Sequence, residues 1–549
     1  MPKLHLISLG CTKNLVDSEV MLGALSHYER VNDAQDADII IINTCGFIAS
    51  AKKESIDKIL EVALIKKDGA ILIVSGCLSE RYADELQSEI PEIDIITGVG
   101  DYDKIESMIQ RVVDSSCGNS SLDKRSADLL NFGRSQTSSL VSRPKFSKSN
   151  ESHTENLSVV LKTESKSDSS LRESATLSKV ADSWQSAGFA SKAKQPFKNS
   201  PSIAESFAFD SPSLAEGVRG WVNSTKSPQI IKSPQTFLIE NQKRIITGSA
   251  IHAYIKISEG CNQQCSFCAI PHFKGRLHSR NLDSILREIE SLLAKGYFDF
   301  SFIAQDSSSY MRDLGKKDGL IDLIKRVESS GVKSARILYL YPSTTSESLI
   351  QTIAESSVFQ NYFDMPLQHI SDKMLKTMKR GADKARHIAL LEQMRGIENS
   401  FIRTSFLLGH PRESEADFDE LCEFVSDFSF ERANIFGFSR EEGTAAFDMG
   451  DIVSAKTTKA RTKKLNNILA KHQKHSLKSL VGRKIRVIVE GRSAQSDLLF
   501  SARDLRWDRE IDGEILINDS EIPLARGYYE VQITDFKGGY LLGRAVSKL

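Results

Sequence analysis

The stretch ADIIIINTCG, residues 37–46, is a run of isoleucines that ends in a polar turn, a cysteine and a glycine. A continuous apolar run of this length is typical of a strand that is buried on both faces of a parallel sheet. The pattern recurs in LHLISLGC (4–11) and AILIVSGC (70–77), and EIDIITGVG (92–100) repeats it without a cysteine. Segments with helical apolar spacing separate these strands, so we predict an α/β unit with a doubly wound parallel sheet.

Cys11, Cys45 and Cys77, the first cysteine site, end three of these strands and lie 34 and 32 residues apart. The carboxyl ends of parallel strands meet at one edge of a sheet, where such sheets bind ligands. A single cysteine there is usually core packing, whereas three in register indicate a shared ligand set. We therefore predict that these thiolates hold an iron–sulfur cluster in which one iron has no protein ligand.

A second α/β region, residues 246–480, alternates strand candidates with amphipathic helices. The alternation predicts a partial (β/α) barrel, whose chemistry lies at the C-terminal ends of its strands. The six strand candidates are AYIKISEG (253–260), FSFIAQD (300–306), SARILYLYP (334–342), FDMPLQH (363–369), IRTSFLLGH (402–410) and RANIFGFS (432–439).

The loop GCNQQCSFC, residues 260–268, directly follows the first strand of this predicted barrel. Its Cys261, Cys265 and Cys268, the second cysteine site, have the spacing C-x3-C-x2-C. They offer three thiolates to a cluster of four irons, so one iron again stays open. A zinc knuckle with a distant fourth ligand is the alternative, but the position at the opening of a barrel favours the cluster.

Two further segments complete the chain. Residues 114–240 are rich in Ser, Lys, Thr and Asn without apolar periodicity, which predicts a disordered insertion after an N-terminal domain at 1–113. Residues 481–549 contain short strands and turns, which predict a small β-barrel. Cys117, in the insertion, and Cys422, on an amphipathic helix, are interpreted as non-functional, with Cys422 in the core.

The composition and charge of the chain limit the classes of partner that we expect. The 549 residues include 72 Lys and Arg against 72 Asp and Glu, so the formal net charge is zero. A nucleic-acid binder usually has a basic excess, so a surface built mainly to hold phosphates is disfavoured. The sequence contains neither a signal peptide nor the roughly 20 apolar residues that cross a bilayer. We expect a cytoplasmic protein with no membrane contact.

This domain order resembles the methylthiotransferase family of radical S-adenosylmethionine (SAM) enzymes, in which the last domain is a TRAM domain. Several strings resemble the RimO type, which modifies an aspartate of small-subunit ribosomal protein twelve. The tRNA-modifying MiaB type typically has Gln-Met-Asn where this chain has Thr12-Lys13-Asn14, and typically lacks the run Gly46-Phe47-Ile48. The strings are SLGCTKNLVDSEVMLG (8–23), NTCGFIASAKKESI (43–56), GCLSERY (76–82), KISEGCNQQCSFCAIPHFKG (256–275), AQDSSSY (304–310), LYLYPS (338–343) and PLQHISDKMLKTMKR (366–380).

The resemblance implies two 4Fe–4S clusters and SAM as cofactors. The cluster of the second cysteine site would cleave SAM to a radical that takes a hydrogen from the β-carbon of the aspartate. The cluster of the first site would supply sulfur, so all six cysteines are expected to be catalytic metal ligands. Expected partners are the ribosomal protein, free or on the ribosome, and an electron donor such as flavodoxin or ferredoxin. The enzyme is expected to be a monomer.

Two other functions stay open at this point. One is a tRNA methylthiotransferase of the MiaB type, which acts on a modified adenosine; the strings above and the neutral charge disfavour it. The other is a non-catalytic iron–sulfur redox sensor docked to the ribosome. The open iron of the second cysteine site disfavours this function, because a sensor has no need of one.

Other positions are weaker candidates. Gln305-Asp306 and Gln368-His369 end barrel strands, where SAM-contacting and structural polar roles are equally expected. The family often has Gly-Phe-Pro-Gly-Glu where this chain has Gly409-His410-Pro411-Arg412-Glu413, so Arg412 replaces a small residue. A ligand role for His410 stays open, but we interpret it as a surface or packing histidine. For the stretch RDLRWDREIDGEILINDSE (503–521), an acidic-leaning face that suits a basic ribosomal protein and a mixed solvated surface are equally expected.

Overall fold

The computed structural model describes residues 1–116, 229–231 and 243–549, with the backbone alone at 115–116 and 229–231. Cys117 and almost all of the predicted insertion (114–240) therefore lie outside the described residues. Among the helices of the described residues, none combines the length and the apolar character that a membrane span needs.

Six parallel strands form the N-terminal sheet: β1 (Lys3–Ser8), β2 (Glu29–Arg30), β3 (Ile39–Thr44), β4 (Ile71–Gly76), β5 (Ile95–Thr97) and β6 (Gln229–Ile231). Five helices connect or follow them: α1 (Thr12–Ala24), α2 (Ala49–Ile65), α3 (Cys77–Arg81), α4 (Ala83–Glu89) and α5 (Ile105–Ser116). The order across the sheet is β2-β1-β3-β4-β5-β6. The three strands that precede the first cysteine site, β1, β3 and β4, are therefore direct neighbours.

Successive side chains of a strand point to opposite faces, and in β3 both faces are buried. Ile40 and Ile42 pack with α2, whereas Ile39 and Ile41 pack with α1 and α5. The predicted doubly wound sheet is therefore confirmed. The edge strands β2 and β6 were not predicted, because two or three residues are too few to show a pattern. In particular, β6 pairs with β5 although it lies in the segment predicted to be disordered.

The second unit is built on six parallel strands: β7 (His252–Lys256), β10 (Asp299–Ile303), β11 (Ser334–Ile337), β12 (Phe359–Asp364), β13 (Phe401–Leu408) and β14 (Arg432–Gly437). A small hairpin, β8 (Ser258–Glu259) with β9 (His278–Ser279), interrupts them. The order is β14-β13-β12-β11-β10-β7, without pairing between the two ends, so the predicted partial barrel is confirmed.

Helices pack on the outer face of this barrel, and the sheet and helices together bury the largest apolar core of the described residues. Cys422 belongs to that core, as predicted. The helices of this second unit are α6 (Ile270–Phe273), α7 (Leu282–Ala294), α8 (Gly319–Glu328), α9 (Glu347–Glu355), α10 (Asp372–Thr377), α11 (Lys384–Gly396), α12 (Glu415–Asp427) and α13 (Ala455–Lys478). Short 3-10 turns occur at Ala34–Asp36, Ser307–Ser309 and Arg312–Leu314.

The C-terminal unit is a closed barrel of five strands: β15 (Lys484–Ser493), β16 (Ser496–Asp504), β17 (Ile515–Ser520), β18 (Gly527–Lys537) and β19 (Tyr540–Lys548). Its strand order is β15-β16-β17-β19-β18. The predicted small β-barrel is therefore confirmed. Closure leaves this sheet without an open edge.

The loop between β16 and β17 packs into the concave face of the partial barrel. Trp507 is 2% exposed and lies in one core with Tyr254 and Phe401 of the barrel strands. Asp508 accepts hydrogen bonds from the hydroxyl groups of Tyr254 and Ser301, each at 2.7 Å. The prediction of an acidic outer face is therefore wrong for the aspartates of this loop. The carboxylates are buried because barrel side chains from far away in the sequence neutralise and hydrogen-bond them.

Candidate active site

The first cysteine site forms where β1, β3 and β4 end. Cys45 and Cys77 directly follow β3 and β4, and Cys11 comes three residues after β1. Two glycines allow the three turns to approach one another. A Cβ atom on Gly10 would lie 2.7 Å from Cys45 Cβ, and one on Gly46 would lie 2.8 Å from Leu78 Cα. The structure therefore brings together the three cysteines that the sequence placed at one sheet edge.

Asn14 ties these turns together. Its side-chain amide donates hydrogen bonds to the carbonyl oxygens of Leu9, at 3.1 Å, and Thr44, at 3.0 Å. Its Oδ1 lies 3.6 Å from Cys77 Sγ and accepts from the thiol. One side chain thus links the segments that carry all three cysteines. Asn14 lies within one of the strings that carry the family resemblance, but no role was predicted for it from the sequence.

The thiols of this site differ in exposure. Cys45 and Cys77 are buried, whereas Cys11 is exposed. Burial, followed by the nearby Cys77 and Cys11, raises the pKa of Cys45 well above its usual range. Burial also raises the pKa of Cys77 to about 11, against the opposing effect of the Lys274 charge. Deprotonated thiolates at this site therefore require added positive charge, which bound iron supplies.

The second cysteine site lies in the tight loop between β8 and α6. Gly260 has a φ of +76°, and a Cβ atom there would lie 2.1 Å from the carbonyl oxygen of Arg276. The Cys261 N–H donates to the Gly275 carbonyl at 3.1 Å. Only glycine tolerates both the left-handed backbone and this close approach, so the glycine before the first cysteine fixes the course of the loop.

Cationic and polar groups surround the second cysteine site. Arg380 donates a hydrogen bond to Cys265 Sγ at 3.1 Å, and its guanidinium also lies over the ring of Tyr341, 4.2 Å from the centroid. The Tyr341 hydroxyl is 3.4 Å from the same sulfur. Burial raises the pKa of Cys268 to about 12. Three clustered thiols with a permanent cation beside them suit the anionic sulfurs of an iron–sulfur cluster.

No group of three or more His, Cys, Asp or Glu side chains, as far as the described residues go, is arranged around a single metal ion. A cluster takes one thiolate at each iron, so its ligands do not converge on one point. Thiol donors, without carboxylates among the predicted ligands, also fit iron–sulfur chemistry better than a hard cation.

The two cysteine sites adjoin each other across the interface between the first sheet and the partial barrel. Cys77 of the first site packs with Ala269 and Phe273, and Ala269 directly follows Cys268 of the second site. Phe47 and Ile270 pack around this contact. An apolar, water-poor boundary therefore separates the two predicted cluster sites.

Four charged side chains, the interface quartet, are enclosed beside this boundary: Asp17, Lys256, Glu259 and Lys274. Lys256 pairs with both Asp17 and, at 2.8 Å, Glu259. Lys274 lies 3.4 Å from Asp17 and 3.6 Å from Glu259. Although burial acts to raise the pKa of Glu259, the two lysines lower it to about 2. The quartet is balanced in charge and joins α1 to the segments on both sides of the second cysteine site.

Three further ion pairs, two of which share Glu441, join the same units. Arg244 donates to Glu19 of α1 at 2.6 Å. Arg81 pairs with Glu441 at 2.9 Å, and Lys52 pairs with the same carboxylate at 3.0 Å. Glu19, Arg81 and Lys52 lie in helices of the first unit, so these pairs help to fix the first cysteine site relative to the second. None of these residues was identified from the sequence, because the partners lie hundreds of positions apart.

The weaker candidates make contacts within the protein. Asp306 accepts from Gln263 at 2.8 Å and from nearby hydroxyl groups, and Gln305 donates to Glu259. Gln368 adopts a φ of +72°, and the buried His369 lies 3.4 Å from Glu413.

His410 and Arg412 have separate explanations. His410 is fully buried, so it packs inside the protein rather than on the surface, and its ring nitrogen lies 2.9 Å from Ser266 Oγ in the cysteine loop. Arg412 is exposed and has a φ of +71°. The backbone there favours glycine, which agrees with the small residue that the family resemblance implies at this position.

Comparison with known proteins defines the class. Residues 3–98 match the Uncharacterized protein family UPF0004, and residues 255–425 match the radical SAM superfamily. Together with the partial barrel and its C-x3-C-x2-C loop, the second match makes the chain a radical SAM enzyme. This class implies SAM and one 4Fe–4S cluster.

Curated relatives narrow the class to one family. The ribosomal protein uS12 methylthiotransferase RimO of Wolinella succinogenes is 46% identical over 98% of this chain and 97% of its own length. The protein of the same name from Helicobacter pylori strain 26695 is 46% identical over 99% of this chain and 98% of its own. The chain belongs to the RimO family of methylthiotransferases.

A solved structure with a similar fold is the radical S-adenosylmethionine methyltransferase TsrM from Kitasatospora setae. The match covers 81% of this chain and 74% of that chain, with 14% sequence identity and a TM-score of 0.46.

Proposed function

We propose that this enzyme adds a methylthio group to the β-carbon of an aspartate in small-subunit ribosomal protein uS12. The observation that carries the proposal is the contact between Cys77 and Ala269, which sets the first cysteine site beside the second. A methylthio transfer needs a sulfur source and a radical source within reach of one substrate carbon. Adjoining three-cysteine sites in a chain of the RimO family meet that need.

The six cysteines have separate roles in this proposal. Cys261, Cys265 and Cys268 hold the cluster that binds SAM, and Cys11, Cys45 and Cys77 hold a second 4Fe–4S cluster. When bound, the clusters and SAM supply one electron, a radical that abstracts hydrogen, and sulfur with its methyl group. In each site three protein thiolates leave one iron free.

The rest of the site positions these groups and excludes water. Arg380 neutralises charge at Cys265, and Asn14 keeps the three turns of the first site in place. The apolar contact of Cys77 with Ala269 and Phe273 keeps solvent from the boundary, which protects a reactive carbon radical from side reactions. An external one-electron donor such as flavodoxin or ferredoxin completes the system, and the terminal barrel acts as a TRAM domain in a monomeric, cytoplasmic enzyme.

The substrate class is tested in a strain that lacks this gene. We expect uS12 to lose its modified aspartate, by mass spectrometry, while the nucleosides of tRNA stay unchanged. Complementation with the intact gene restores the modification, and a Cys261→Ala gene does not. Loss of a tRNA nucleoside with unchanged uS12 would contradict the proposal and favour a tRNA methylthiotransferase.

The cluster count is tested by the iron and sulfide content of anaerobically reconstituted protein. We expect about eight irons in the parent enzyme and about four in Cys11→Ala/Cys45→Ala/Cys77→Ala, because each cubane cluster holds four. Cys422→Ala is the matched control, since Cys422 lies in the core of the barrel. About four irons in both the parent and the triple variant would refute a cluster at the first cysteine site.

A further inference from the structure

Lys13 extends from the first unit toward the opening of the partial barrel. It lies in the first turn of α1, two residues after Cys11. Its Nζ is 3.5 Å from the centroid of the Tyr339 ring, and Tyr339 comes just after the carboxyl end of β11. The ammonium group is therefore held between the exposed Cys11 and the end of the barrel where chemistry takes place.

Lys13 is a buried cation without a counter-charge. It is 8% exposed, and among the ion pairs of residues 1–116 and 243–549 none includes it. Every other buried lysine of this interface has carboxylate partners, as Lys256 and Lys274 do in the interface quartet. The Tyr339 ring compensates an ammonium group only partly, because a cation–π contact contributes less than a buried ion pair. The buried ammonium group of Lys13 therefore favours a bound anion at this position.

The end of α1 beside Lys13 also favours the binding of an anion. The hydroxyl oxygen of Thr12 is buried and has no hydrogen-bond partner. No side chain caps the first turn of α1, and that turn contains no acidic residue. The first N–H groups of a helix lack partners within the helix and carry partial positive charge, so they favour an anion. Thr12 and Lys13 are thus neighbouring donors at this helix end.

Tyr339 is held in a strained conformation at this position. Its φ is +63°, which disfavours a bulky side chain. Two contacts maintain it: the Tyr339 N–H donates to Asp364 at 3.1 Å, and the Ser307 N–H donates to the Tyr339 carbonyl at 3.0 Å. Strain of this kind persists where the surrounding structure enforces it, commonly at active sites. Here it places the ring under Lys13.

We propose that Lys13, assisted by Thr12, binds the carboxylate of the substrate aspartate and so fixes its β-carbon between the two cysteine sites. This inference rests on the proposed function, because it takes the substrate to be an aspartate. The side-chain carboxylate is one bond from the β-carbon, so a contact at the carboxylate determines where that carbon lies. A neutral side chain of the same shape, such as asparagine, satisfies the lysine less well.

The test compares binding of uS12 with binding of uS12 whose target aspartate is replaced by asparagine. We expect the parent enzyme to prefer the aspartate form by about tenfold or more, as a charged hydrogen bond in a buried site implies. Lys13→Met is expected to bind both forms equally, and Lys13→Arg to retain part of the preference. Lys53→Met, on the exposed face of α2, is the matched control and should keep the full preference.

Two results would overturn the inference. The first is a Lys13→Met enzyme that keeps the aspartate preference; if its Kd for SAM is also raised, Lys13 is assigned to the carboxylate of SAM instead. The second is a parent enzyme that does not modify uS12 at all, which is visible without any variant and refutes the proposed function itself. Iron content and thermal unfolding show whether each variant is folded, and Thr12→Val gives an independent second variant if Lys13→Met is not.

Discussion

At the scale of the residue, Asn14 shows how one amide organises a site built from separate turns. It has no charge and no metal-binding atom of the kind that the cysteines offer. Its hydrogen bonds to Leu9 and Thr44 nevertheless join the turns that follow β1 and β3, and its Oδ1 faces Cys77. The geometry of the first cysteine site therefore depends on a residue that binds no iron itself.

The change Asn14→Ala is expected to lower iron content from about eight to about four per chain, with four irons per cluster. The reason is that the turns carrying Cys11 and Cys45 lose their shared donor, whereas the second cysteine site is untouched. Iron and sulfide analysis after anaerobic reconstitution measures the effect, with the exposed Asn32→Ala as control. An unchanged iron content would show that backbone contacts alone hold the turns.

At the scale of the element, the strand ends and the cysteine loop could be predicted, and the loop between β16 and β17 could not. Cys45 follows an uninterrupted run of isoleucines, so a local pattern identified both the strand and the site. Asp508 lies in a stretch of alternating charges, which reads as a solvated surface. Its burial depends on Tyr254 and Ser301, about 250 and 200 residues earlier, and no local pattern reveals such partners. Lys13 was missed for the same reason, because its unpaired state is visible only in three dimensions.

Asp512, on this loop, makes stability depend on pH. Its Oδ2 accepts the Asp508 N–H at 2.8 Å, and its Oδ1 has no hydrogen bond. Burial raises its pKa from 3.8 to about 6, although Arg403 opposes the change. Between pH 4 and pH 6 the folded chain keeps a proton that the unfolded chain releases, so this contribution to stability falls as the pH rises. Above about pH 6 the contribution is lost.

The variant Asp512→Asn is therefore expected to gain stability relative to the parent as the pH rises from 4 to 6, by about 3 kcal/mol in total. Above pH 6 the difference should stay level. Urea unfolding of both proteins at fixed pH values measures it, with the exposed Asp519→Asn on β17 as control. A difference that does not change with pH would show that Asp512 is charged in the folded protein throughout.

At the scale of the whole molecule, buried ion pairs at several points hold the first unit on the partial barrel. Glu19 binds Arg244, the interface quartet lies beside the cysteine sites, and Glu441 binds Arg81 and Lys52. These contacts are made by different residues at separate points of the boundary between the units. Relative motion of the units is therefore restricted, so the distance and orientation between the two cysteine sites are maintained.

The change Glu441→Gln is expected to weaken this restriction, because it leaves Arg81 and Lys52 without a carboxylate in a buried place. Both clusters should be retained, while SAM cleavage becomes less tightly coupled to methylthio transfer. The ratio of cleaved SAM to modified uS12 measures the coupling and should rise several-fold. The neighbouring Glu442→Gln is the control, and an unchanged ratio in Glu441→Gln would mean that the remaining contacts suffice.

The enclosure of the interface quartet determines how the enzyme responds to salt. Each of its four side chains is less than a tenth exposed, so mobile ions cannot enter to screen the pairs. Exposed pairs such as Lys464 with Asp419 weaken once the Debye length shortens to a few ångströms. Ribosomal RNA is surrounded by a dense atmosphere of counterions. The enclosed quartet can therefore keep the two cysteine sites aligned at ionic strengths that screen the surface ion pairs of the enzyme.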